Sequence, residues 1–594
     1  MRLVALALLW QIGLFATLTL AFTAASVATP TATIKDGTKV IGRAFTTTVT
    51  RSSTPTAISY DRYQGVRYAA PPLSDLRFAL PQPTTKSTGP VTATSDGPKC
   101  LQGSSLASGT SEDCLFLNIN KRSDGQQSGL PVLIFLHGGG LVSGDGNSFN
   151  YTTMLDNALN AGVPMIVITV QYRLNVFGFT ASKEFDTLRS MTNVGLNLGH
   201  QDQRMAINWV RNNIKGFGGD PTRITIMGQS AGAFSVSAQI MGHPSRDTAS
   251  TDLVFDLNQT IAPFRAAIMM SGAPGGTGVF DVSTKDQQYQ RLLAYTKCGG
   301  TPATNLACLR SADNATLNKF ADMEAQRTQD LGKIPLGYFG FSAVQDGGPF
   351  VNINGATGFY ATRASIAVNN NSYAHVPVIT GSEEDEGTMF ANKHLATTDQ
   401  FQKWILDCFA ANQSNATYLD AWTAAFEAYP DDPTKGSPFE AVNKTDRFYS
   451  PDTNQYKRAA ALYGDIRYQA GRRFFIRQAS DPKRGNVAVY NYQYKIPRPV
   501  DPAKLGVPHT TDLYKIADNS PLGNNITKFF ARFVATTDPN ENQNAPVWPK
   551  YDGNNSMVEF VNGVKDRINK TMDTYREKEM KNLFTPSFLN ATGR

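Results

Sequence analysis

The sequence predicts an α/β fold in which helices flank a mostly parallel sheet. Three observations lead to this prediction: short apolar, β-branched runs alternate with helical patterns, a Gly-x-Ser-x-Gly motif joins one such run to a helical pattern, and a triple glycine directly follows another. The predicted strands are Pro131–Leu136, Pro164–Val170, Ile224–Met227, Ala266–Met270, Val376–Thr380 and Asn486–Tyr494. A helix is predicted over Asp202–Lys215, with Met205, Trp209, Val210 and Ile214 on one stripe.

The composition is that of a globular protein. Of 594 residues, 41% are hydrophobic and 18% are charged, and the formal net charge is +7. No block of five basic residues and no nucleic-acid-binding motif occurs, which argues against a nucleic-acid partner. Because no clean linker is visible, we predict a single domain over residues 29–594, with a helical, cap-like subregion at about 395–480.

The first 28 residues have the pattern of a secretory signal peptide. Arg2 precedes an apolar run from Leu3 to Phe22, and small residues such as Ala25 and Ala28 follow it. The run is nearly long enough to cross a bilayer, so an uncleaved signal anchor is the competing interpretation. If the signal is cleaved, we expect a secreted protein without stable membrane insertion.

Glycosylation sequons and cysteines agree with export. Two closely spaced cysteine pairs and a lone Cys408 are compatible with two short-loop disulfides in an oxidising compartment. N-linked glycans are expected because Asn-x-Ser/Thr sequons begin at Asn150, Asn258, Asn314, Asn370, Asn412, Asn415, Asn443, Asn525, Asn554, Asn569 and Asn590.

The clearest chemical motif is Gly228-Gln-Ser-Ala-Gly232. It lies between the predicted strand Ile224–Met227 and a helix-compatible run, which is the strand-turn-helix context of a nucleophile elbow. Such a turn exposes the Ser230 hydroxyl at a helix N-terminus, where partial positive charge favours a developing oxyanion. By itself the motif is weak evidence for a catalytic serine, and the predicted strand before it and helix after it strengthen this evidence.

His137-Gly-Gly-Gly140 directly follows another predicted strand. A glycine-rich turn is common after a strand, but this one matches the loop that supplies oxyanion-stabilising N–H groups in α/β-hydrolases. Acyl transfer needs such preorganised donors because negative charge develops on the former carbonyl oxygen.

The order of residues along the chain selects the histidine. In an α/β-hydrolase the nucleophile comes first, then the acid, then the histidine. His137 and His200 precede Ser230, and His394 lies too close to the best acid candidates. Since His243 and His375 precede those candidates, His509 remains.

Four carboxylates follow the predicted strand Val376–Thr380, at the strand end where this fold places its orienting acid. Most of these four residues are expected to belong to a solvent-exposed acidic turn without a catalytic role. The chemistry alone leaves four candidates open, namely Glu383, Glu384, Asp385 and Glu386.

Several longer motifs resemble those of the type-B carboxylesterases, the family of cholinesterases and fungal lipases. They span roughly Tyr60 to Tyr551 and include the segments 217–232, Glu112-Asp-Cys-Leu-Phe-Leu-Asn118, Gln64-Gly-Val-Arg-Tyr-Ala69, Tyr172-Arg-Leu-Asn-Val-Phe-Gly178 and Trp548-Pro-Lys-Tyr551. The resemblance implies an α/β-hydrolase fold and a serine carboxylic-ester hydrolase that acts on a small-molecule or lipid ester.

The resemblance also assigns residues. It implies Glu386 as the acid, because Gly-Thr follows it, and His509 as the base. It implies an oxyanion hole from Gly139, Gly140 and Ala231, and a supporting serine at Ser271. Its structural pairs are the disulfides Cys100–Cys114 and Cys298–Cys308 and the ion pairs Arg77–Glu112 and Arg173–Asp202.

Some positions depart from the family pattern. Gln229 replaces the usual Glu before the nucleophile, and Leu141 replaces the usual aromatic residue after the glycines. The Cys100–Cys114 loop has only thirteen intervening residues, where related lipases carry a longer lid. A short loop covers little apolar surface, which favours an open-site esterase over a lidded lipase or sterol esterase.

The remaining expectations concern cofactors, pH and alternatives. No cofactor or metal is expected, since no His-Glu-x-x-His motif or Cys/His cluster occurs. Activity is expected to fall below about pH 6 as His509 becomes protonated. A non-catalytic adhesion or binding protein is the remote alternative, disfavoured because serine, acid and histidine are all present.

Overall fold

The computed structural model describes residues 29–51, 54–103, 109–242, 262–330, 340–347, 358–360, 362–410, 416–440, 443–448, 454–518, 520–540, 547–561 and 567–594. The strands are β1 Thr31–Thr33, β2 Lys39–Ile41, β3 Arg43–Arg51, β4 Thr54–Arg67, β5 Val91–Thr92, β6 Lys99–Cys100, β7 Thr110–Ser111, β8 Phe116–Arg122, β9 Leu130–Leu136, β10 Ile166–Val170, β11 Gly219–Gln229, β12 Ala266–Met270, β13 Val378–Glu383, β14 Val489–Lys495, β15 Ser556–Val561 and β16 Arg567–Met572.

The helices are α1 Tyr151–Asn160, α2 Asn175–Phe179, α3 Lys183–Arg189, α4 Leu198–Asn213, α5 Ala231–Met241, α6 Asp286–Thr296, α7 Pro302–Ser311, α8 Asn314–Asp330, α9 Ala364–Asn369, α10 Thr398–Phe409, α11 Ala416–Ala428, α12 Tyr456–Gly464, α13 Gly471–Ser480, α14 Thr511–Ala517, α15 Pro521–Thr536, α16 Glu577–Met580 and α17 Pro586–Ala591. A π-helical turn, Asp465–Ala470, joins α12 to α13.

One large sheet organises the described residues. Eleven strands pair in the order β16-β15-β14-β13-β12-β11-β9-β10-β8-β4-β3. The strands from β15 to β10 run parallel, while β16 at one edge and β8, β4 and β3 at the other pair antiparallel. The predicted α/β fold with a mostly parallel sheet flanked by helices is therefore confirmed.

Helices cover both faces of the sheet, which is why its central strands are apolar along their whole length. Every residue of β9 is buried. Alternate β9 side chains, such as Ile134, pack in a core with α4, α5 and α13, and the others, such as Phe135, pack in a core with α1 and α15. This arrangement holds the carboxyl ends of the parallel strands at one edge of the sheet, where the candidate site lies.

Each of the six predicted strands overlaps an observed one, with differences at the ends. β14 begins at Val489 rather than Asn486, because Asn486 has a φ of 48° and cannot continue a strand. β10 begins after Pro164, which has no N–H to donate to the neighbouring strand. The antiparallel edge strands were not predicted, since polar residues interrupt their apolar pattern, as Asn118 and Asn120 do in β8.

The labelled elements between residues 398 and 480 are all helices, α10 to α13. They enclose a separate aromatic core that includes Trp404, Trp422 and Tyr463. This core is tied to the segment directly after β13, because the Tyr456 hydroxyl of α12 donates to the Thr388 carbonyl at 2.8 Å. No described helix is both long and apolar enough to cross a membrane. Residues 1–28, the predicted signal peptide, lie outside the described residues.

Covalent and ionic pairs fasten the loops to the sheet. Disulfides join Cys100 to Cys114 and Cys298 to Cys308, and Cys408 is buried outside any disulfide. Arg77 pairs with Glu112 at 2.6 Å. Arg173, which follows β10, forms a buried pair with Asp202 of α4, with both Nε and Nη2 bonded to the carboxylate at 2.8 and 2.7 Å. The Arg173–Asp202 pair fixes α4 against the loop after β10.

The Asp202→Asn substitution should lower the free energy of unfolding by about 3–5 kcal/mol, because it leaves the buried Arg173 charge without its counter-ion. Lys444→Ala is the control, since it removes an exposed pair with Glu440 and should cost less than about 1 kcal/mol. Urea denaturation followed by tryptophan fluorescence measures both. Equal, small losses would contradict the importance of the buried pair.

Candidate active site

Ser230 occupies the sharp turn between β11 and α5. β11 ends at Gln229, α5 begins at Ala231, and Ser230 between them has φ 58° and ψ −125°. Residues other than glycine rarely adopt this backbone conformation, and such strain persists only where the surrounding structure enforces it. The turn lifts the Ser230 hydroxyl above the carboxyl end of the central strand.

The glycines of the motif are required by close backbone contacts. A Cβ atom at Gly228 would lie 2.2 Å from the Gly232 carbonyl oxygen. A Cβ at Gly232 would lie 2.0 Å from the carbonyl oxygen of Leu136 in the neighbouring strand. The turn is therefore closed from both sides, and this packing enforces the conformation of Ser230.

Ser230, His509 and Glu386 form a continuous chain of hydrogen bonds. The Ser230 Oγ lies 2.7 Å from the His509 Nε2, and the His509 Nδ1 lies 2.6 Å from the Glu386 Oε2. His509 and Glu386 are buried, while Ser230 is partly exposed. With Nδ1 protonated, His509 donates to Glu386 and its Nε2 is free to accept the serine proton.

Asp385, another of the four candidate acids, holds the loop that carries His509. Its Oδ2 accepts a hydrogen bond from the Val507 N–H at 2.9 Å, and its Oδ1 accepts one from the Ser437 hydroxyl at 2.7 Å. The Tyr468 ring packs against the His509 imidazole with centroids 4.7 Å apart. His509 is thus fixed by backbone anchoring on one side and aromatic packing on the other.

A buried carboxyl cluster lies behind the histidine. Ser271 donates to the Glu383 Oε2, the Glu383 N–H donates to the Glu386 Oε1 at 3.0 Å, and the Asp512 N–H donates to the Glu383 Oε1 at 3.3 Å. The Tyr492 hydroxyl donates to the Asp512 Oδ2 at 2.5 Å. Ser271, predicted as a supporting residue, thus donates to Glu383 and also lies close enough to Glu386 to lower the pKa of that carboxyl.

Burial makes ionisation of this cluster costly. It raises the pKa of Glu383 and of Asp512 well above their ordinary values, and the charge of Glu386 adds to the effect on Glu383 as that of Glu383 does on Asp512. Burial also raises the pKa of Glu386 to about 7, against the hydrogen bonds that it accepts. The three carboxyls cannot all be charged together, so the cluster retains protons at neutral pH.

Potential ligand atoms of Glu383, Glu386 and His509 lie within 4.8 Å of one another, a spacing that a metal ion could bridge. Both nitrogens of His509 are already engaged, by Ser230 and by Glu386. The donor set therefore fits a hydrogen-bond relay, and the expectation that no metal is needed stays a prediction.

The triple-glycine loop lies beside the turn. Gly139 and Gly140 have φ values of 108° and 67°, and a Cβ at Gly138 would lie 3.1 Å from the Ser230 Cβ. The Gly139 carbonyl accepts from the Ser143 N–H at 3.0 Å, which fixes the loop. Within the described part of the chain, the N–H groups of Gly139, Gly140 and Ala231 donate to no protein acceptor. They remain available to an oxygen bound beside Ser230.

A pocket with a volume of about 630 Å³, counted to its open mouth, begins at Ser230. Its lining includes Gly140, Ala231, Phe234 and Arg467. Leu141, which replaces the usual aromatic residue of the family, also lines it. The structure thus gathers at one site all the residues that the sequence singled out for chemistry: Ser230, Glu386, His509, Gly139, Gly140, Ala231 and Ser271.

Sequence reasoning missed the pocket residues from the helical region. Arg467 and Tyr468 both reach the site from the π-helical turn Asp465–Ala470. Both residues lie within a helical sequence pattern, and this pattern does not indicate that a π-helical turn will place their side chains near Ser230. Glu383 was recognised as a candidate acid, but its contact with Ser271 depends on the register of β13 against β12.

Comparison with known proteins identifies the family. The family model described as "Carboxylesterase family" matches residues 29–582. The chain belongs to this family. It is a carboxylic ester hydrolase of the α/β-hydrolase fold, and the resemblance found in the sequence is confirmed.

Fungal lipases and an esterase are among the similar proteins. "Lipase 2" of Geotrichum candidum is 30% identical over 570 residues, covering 88% of this chain and 92% of that protein. "Secreted lipase 1" of Botryotinia fuckeliana is 28% identical over 580 residues, covering 90% and 93%. The crystal structure of Aspergillus niger EstA superposes with a TM-score of 0.72 at 25% identity, covering 94% of this chain and 99% of that one.

Burial raises the pKa of Glu386 to about 7 and lowers that of His509 to about 3, so we predict an acid limb of the pH profile near pH 7, set by Glu386. As pH falls through about 7, a proton added to the Glu386–His509 pair neutralises the carboxylate that holds Nδ1–H. A protonated Glu386 would donate to Nδ1 and leave the proton on Nε2, where it blocks the base. The dependence of kcat/KM on pH measures this, and a midpoint below pH 5 would contradict it.

Proposed function

We propose that this protein hydrolyses carboxylic esters through an acyl-enzyme on Ser230, with His509 as general base and acid and Glu386 as the orienting acid. One observation carries the proposal: the hydrogen-bond chain from Ser230 through His509 to Glu386 begins at a strained strand-to-helix turn. An activated serine requires a hydroxyl held in a strained turn, with a buried base and then a buried acid following it along the hydrogen-bond chain.

In the first step His509 Nε2 takes the hydroxyl proton while the Ser230 Oγ attacks the ester carbonyl carbon. The bond to the leaving oxygen then breaks, and His509 gives its proton to the departing alcohol. Glu386 keeps Nδ1 protonated and stabilises the transient imidazolium. The products of this step are the alcohol and Ser230 esterified by the acyl group.

In the second step water takes the place of the alcohol. His509 removes a proton from the water, the resulting hydroxyl attacks the acyl carbon, and the Ser230 Oγ leaves with the proton returned by His509. The carboxylic acid product departs and the enzyme is regenerated without any change in its oxidation state.

Both steps develop negative charge on the carbonyl oxygen. The N–H groups of Gly139, Gly140 and Ala231 are the proposed donors, because they lie beside Ser230 and donate to no described acceptor. Ala231 is also the first residue of α5, so the positive end of this helix faces the same point. Loss of one such donor typically costs about 3–4 kcal/mol of transition-state stabilisation.

We favour an open-site esterase for short acyl chains over a lipase. The loop closed by Cys100 and Cys114 is short, so it covers little apolar surface beside the site. The alternative is a lipase or sterol esterase for long-chain esters, supported by the names of the fungal relatives. A non-catalytic binding protein is disfavoured by the complete hydrogen-bond chain.

We further propose that the protein is secreted as a glycoprotein after cleavage of the signal at residues 1–28. Relatives are named as secreted lipases, and two disulfides suit an oxidising compartment. Glycans need accessible asparagines, and among the described residues the exposed sequon asparagines are Asn150, Asn370, Asn443, Asn525 and Asn554.

The Ser230→Ala substitution should lower kcat/KM for p-nitrophenyl esters by at least about 1,000-fold, since no nucleophile remains. Ser190→Ala, at an exposed serine on the surface, is the matched control and should retain wild-type activity. An ester series from acetate to palmitate, measured with wild type and both variants, provides the test.

A maximum at short chains supports the open-site esterase, and a maximum at long chains supports the lipase alternative. Undiminished activity in Ser230→Ala would refute the assignment of the nucleophile. A folded wild type without activity on any ester would favour a binding protein.

A further inference from the structure

Arg467 places a positive charge in the pocket that begins at Ser230. It belongs to the π-helical turn Asp465–Ala470, in which Arg467 and the adjacent Tyr468 both line the pocket. Short π-helical insertions are uncommon and are frequently found at functional sites. Arg467 is only 6% exposed to solvent, so its charge is held away from bulk water.

This charge has no counter-ion within the described part of the chain. None of the described ion pairs includes Arg467, and its Nε is buried without a hydrogen-bond partner. Other buried arginines have acceptors: Arg173 pairs with Asp202, and Arg458 donates to the Tyr429 carbonyl. Arg467 donates to no described acceptor.

The one described favourable contact of the guanidinium does not offset its burial. It lies over the Phe234 ring, 4.8 Å from the centroid. Such a cation–π contact compensates for only a small part of the free-energy cost of taking an unpaired ion out of water. The imbalance indicates that a ligand supplies the missing negative charge.

The rest of the pocket agrees with an anionic ligand. None of its described lining residues is acidic. His200 also lines it, and both ring nitrogens of this buried histidine are without hydrogen-bond partners in the described chain. Burial, followed by the charge of Arg204, lowers the pKa of His200 to about 3, so it is a neutral group with one N–H to donate.

The position of Arg467 also connects it with the reacting groups. Burial is the main cause that lowers the pKa of His509, and although Asp512 opposes it, the charge of Arg467 lowers that pKa further. Phe234, on which the guanidinium rests, is in the first turn of α5, directly after Ser230. Arg467 is therefore within electrostatic reach of an ester bound at the serine.

We propose that Arg467 binds a carboxylate on the substrate, so that the preferred esters are monoesters of dicarboxylic acids, with the free carboxylate of the acyl group at Arg467. This inference rests on the proposed function and specifies its substrate class. A guanidinium recognises a carboxylate through two parallel charge-assisted hydrogen bonds, which are about twice as strong as neutral ones. A neutral acyl chain in the same place would leave the charge of Arg467 uncompensated.

The test compares two p-nitrophenyl esters whose remote carboxyl is either free or methylated, mono-p-nitrophenyl adipate and methyl p-nitrophenyl adipate, and follows the release of p-nitrophenol. Wild type should hydrolyse the carboxylate ester with a kcat/KM at least about ten-fold higher than that of the neutral ester, most of the difference being in KM. Arg467→Gln should reduce this ratio to about one, and Arg467→Lys should keep part of it, since lysine retains the charge but not the paired donors.

Arg477→Gln is the matched control. It removes an arginine from α13, where Arg477 pairs with the exposed Glu577 and does not line the pocket, so it should keep the wild-type ratio. Competitive inhibition by hexanoate gives a second measurement, and this inhibition should weaken at least about five-fold in Arg467→Gln. Should Arg467→Gln fail to fold, the wild-type ratio and the Arg467→Lys variant still decide the question.

Equal or faster hydrolysis of the neutral ester by wild type, with activity that Ser230→Ala abolishes, would overturn the role of Arg467 and leave the proposed function intact. An unchanged ratio in Arg467→Gln would also overturn it. Absence of hydrolysis of both esters by the folded wild type would instead refute the proposed function, and the inference with it.

Discussion

The backbone of Ser230 is the constraint on which the site depends. A serine with a φ of 58° is held between a strand and a helix by glycines whose neighbours leave no space for a side chain. Because the turn cannot relax, the hydroxyl stays at hydrogen-bonding distance from His509 and the Ala231 N–H stays beside it. Packing of the apolar central strands supplies the stability that offsets this local strain.

The second organising feature is the way in which charge is buried around the serine. Behind His509, three carboxyls share protons and hydrogen bonds, which gives the histidine a fixed acceptor without three full negative charges. On the pocket side, Arg467 is a positive charge without a described partner. The carboxyls that orient the base are linked to one another and to His509, whereas the guanidinium on the pocket side has no described acceptor, and this difference is the reason for assigning Arg467 to substrate recognition.

The central part of the fold and the chemistry could be predicted from the sequence because both depend on local signals. Strands β9 to β14 contain apolar runs, although their ends were less clear, and the Gly-x-Ser-x-Gly motif around Ser230 is visible in the sequence itself. The order of residues along the chain selected His509. Chemistry alone could not choose among the four acids, since all four lie within four consecutive positions and only the resemblance singled out Glu386.

Contacts between segments that are distant in the sequence could not be predicted from local patterns. The contact between Ser271 and Glu383 requires the pairing of β12 with β13, and the entry of Arg467 into the pocket requires a π-helical turn. The antiparallel edge strands carry alternating polar residues that hide their apolar pattern. The signal peptide at residues 1–28, the glycans and the absence of a metal remain predictions.

The central claim is that Ser230 is the activated nucleophile, and covalent labelling tests it most directly. The folded protein would be treated with a fluorophosphonate, which reacts with activated serines, and the labelled peptide would be identified by mass spectrometry. The account predicts a single adduct on Ser230, no adduct on the Ser230→Ala variant, and slower labelling once His509 is replaced by alanine. A wild type that remains unlabelled, or that is labelled at another serine, would contradict it.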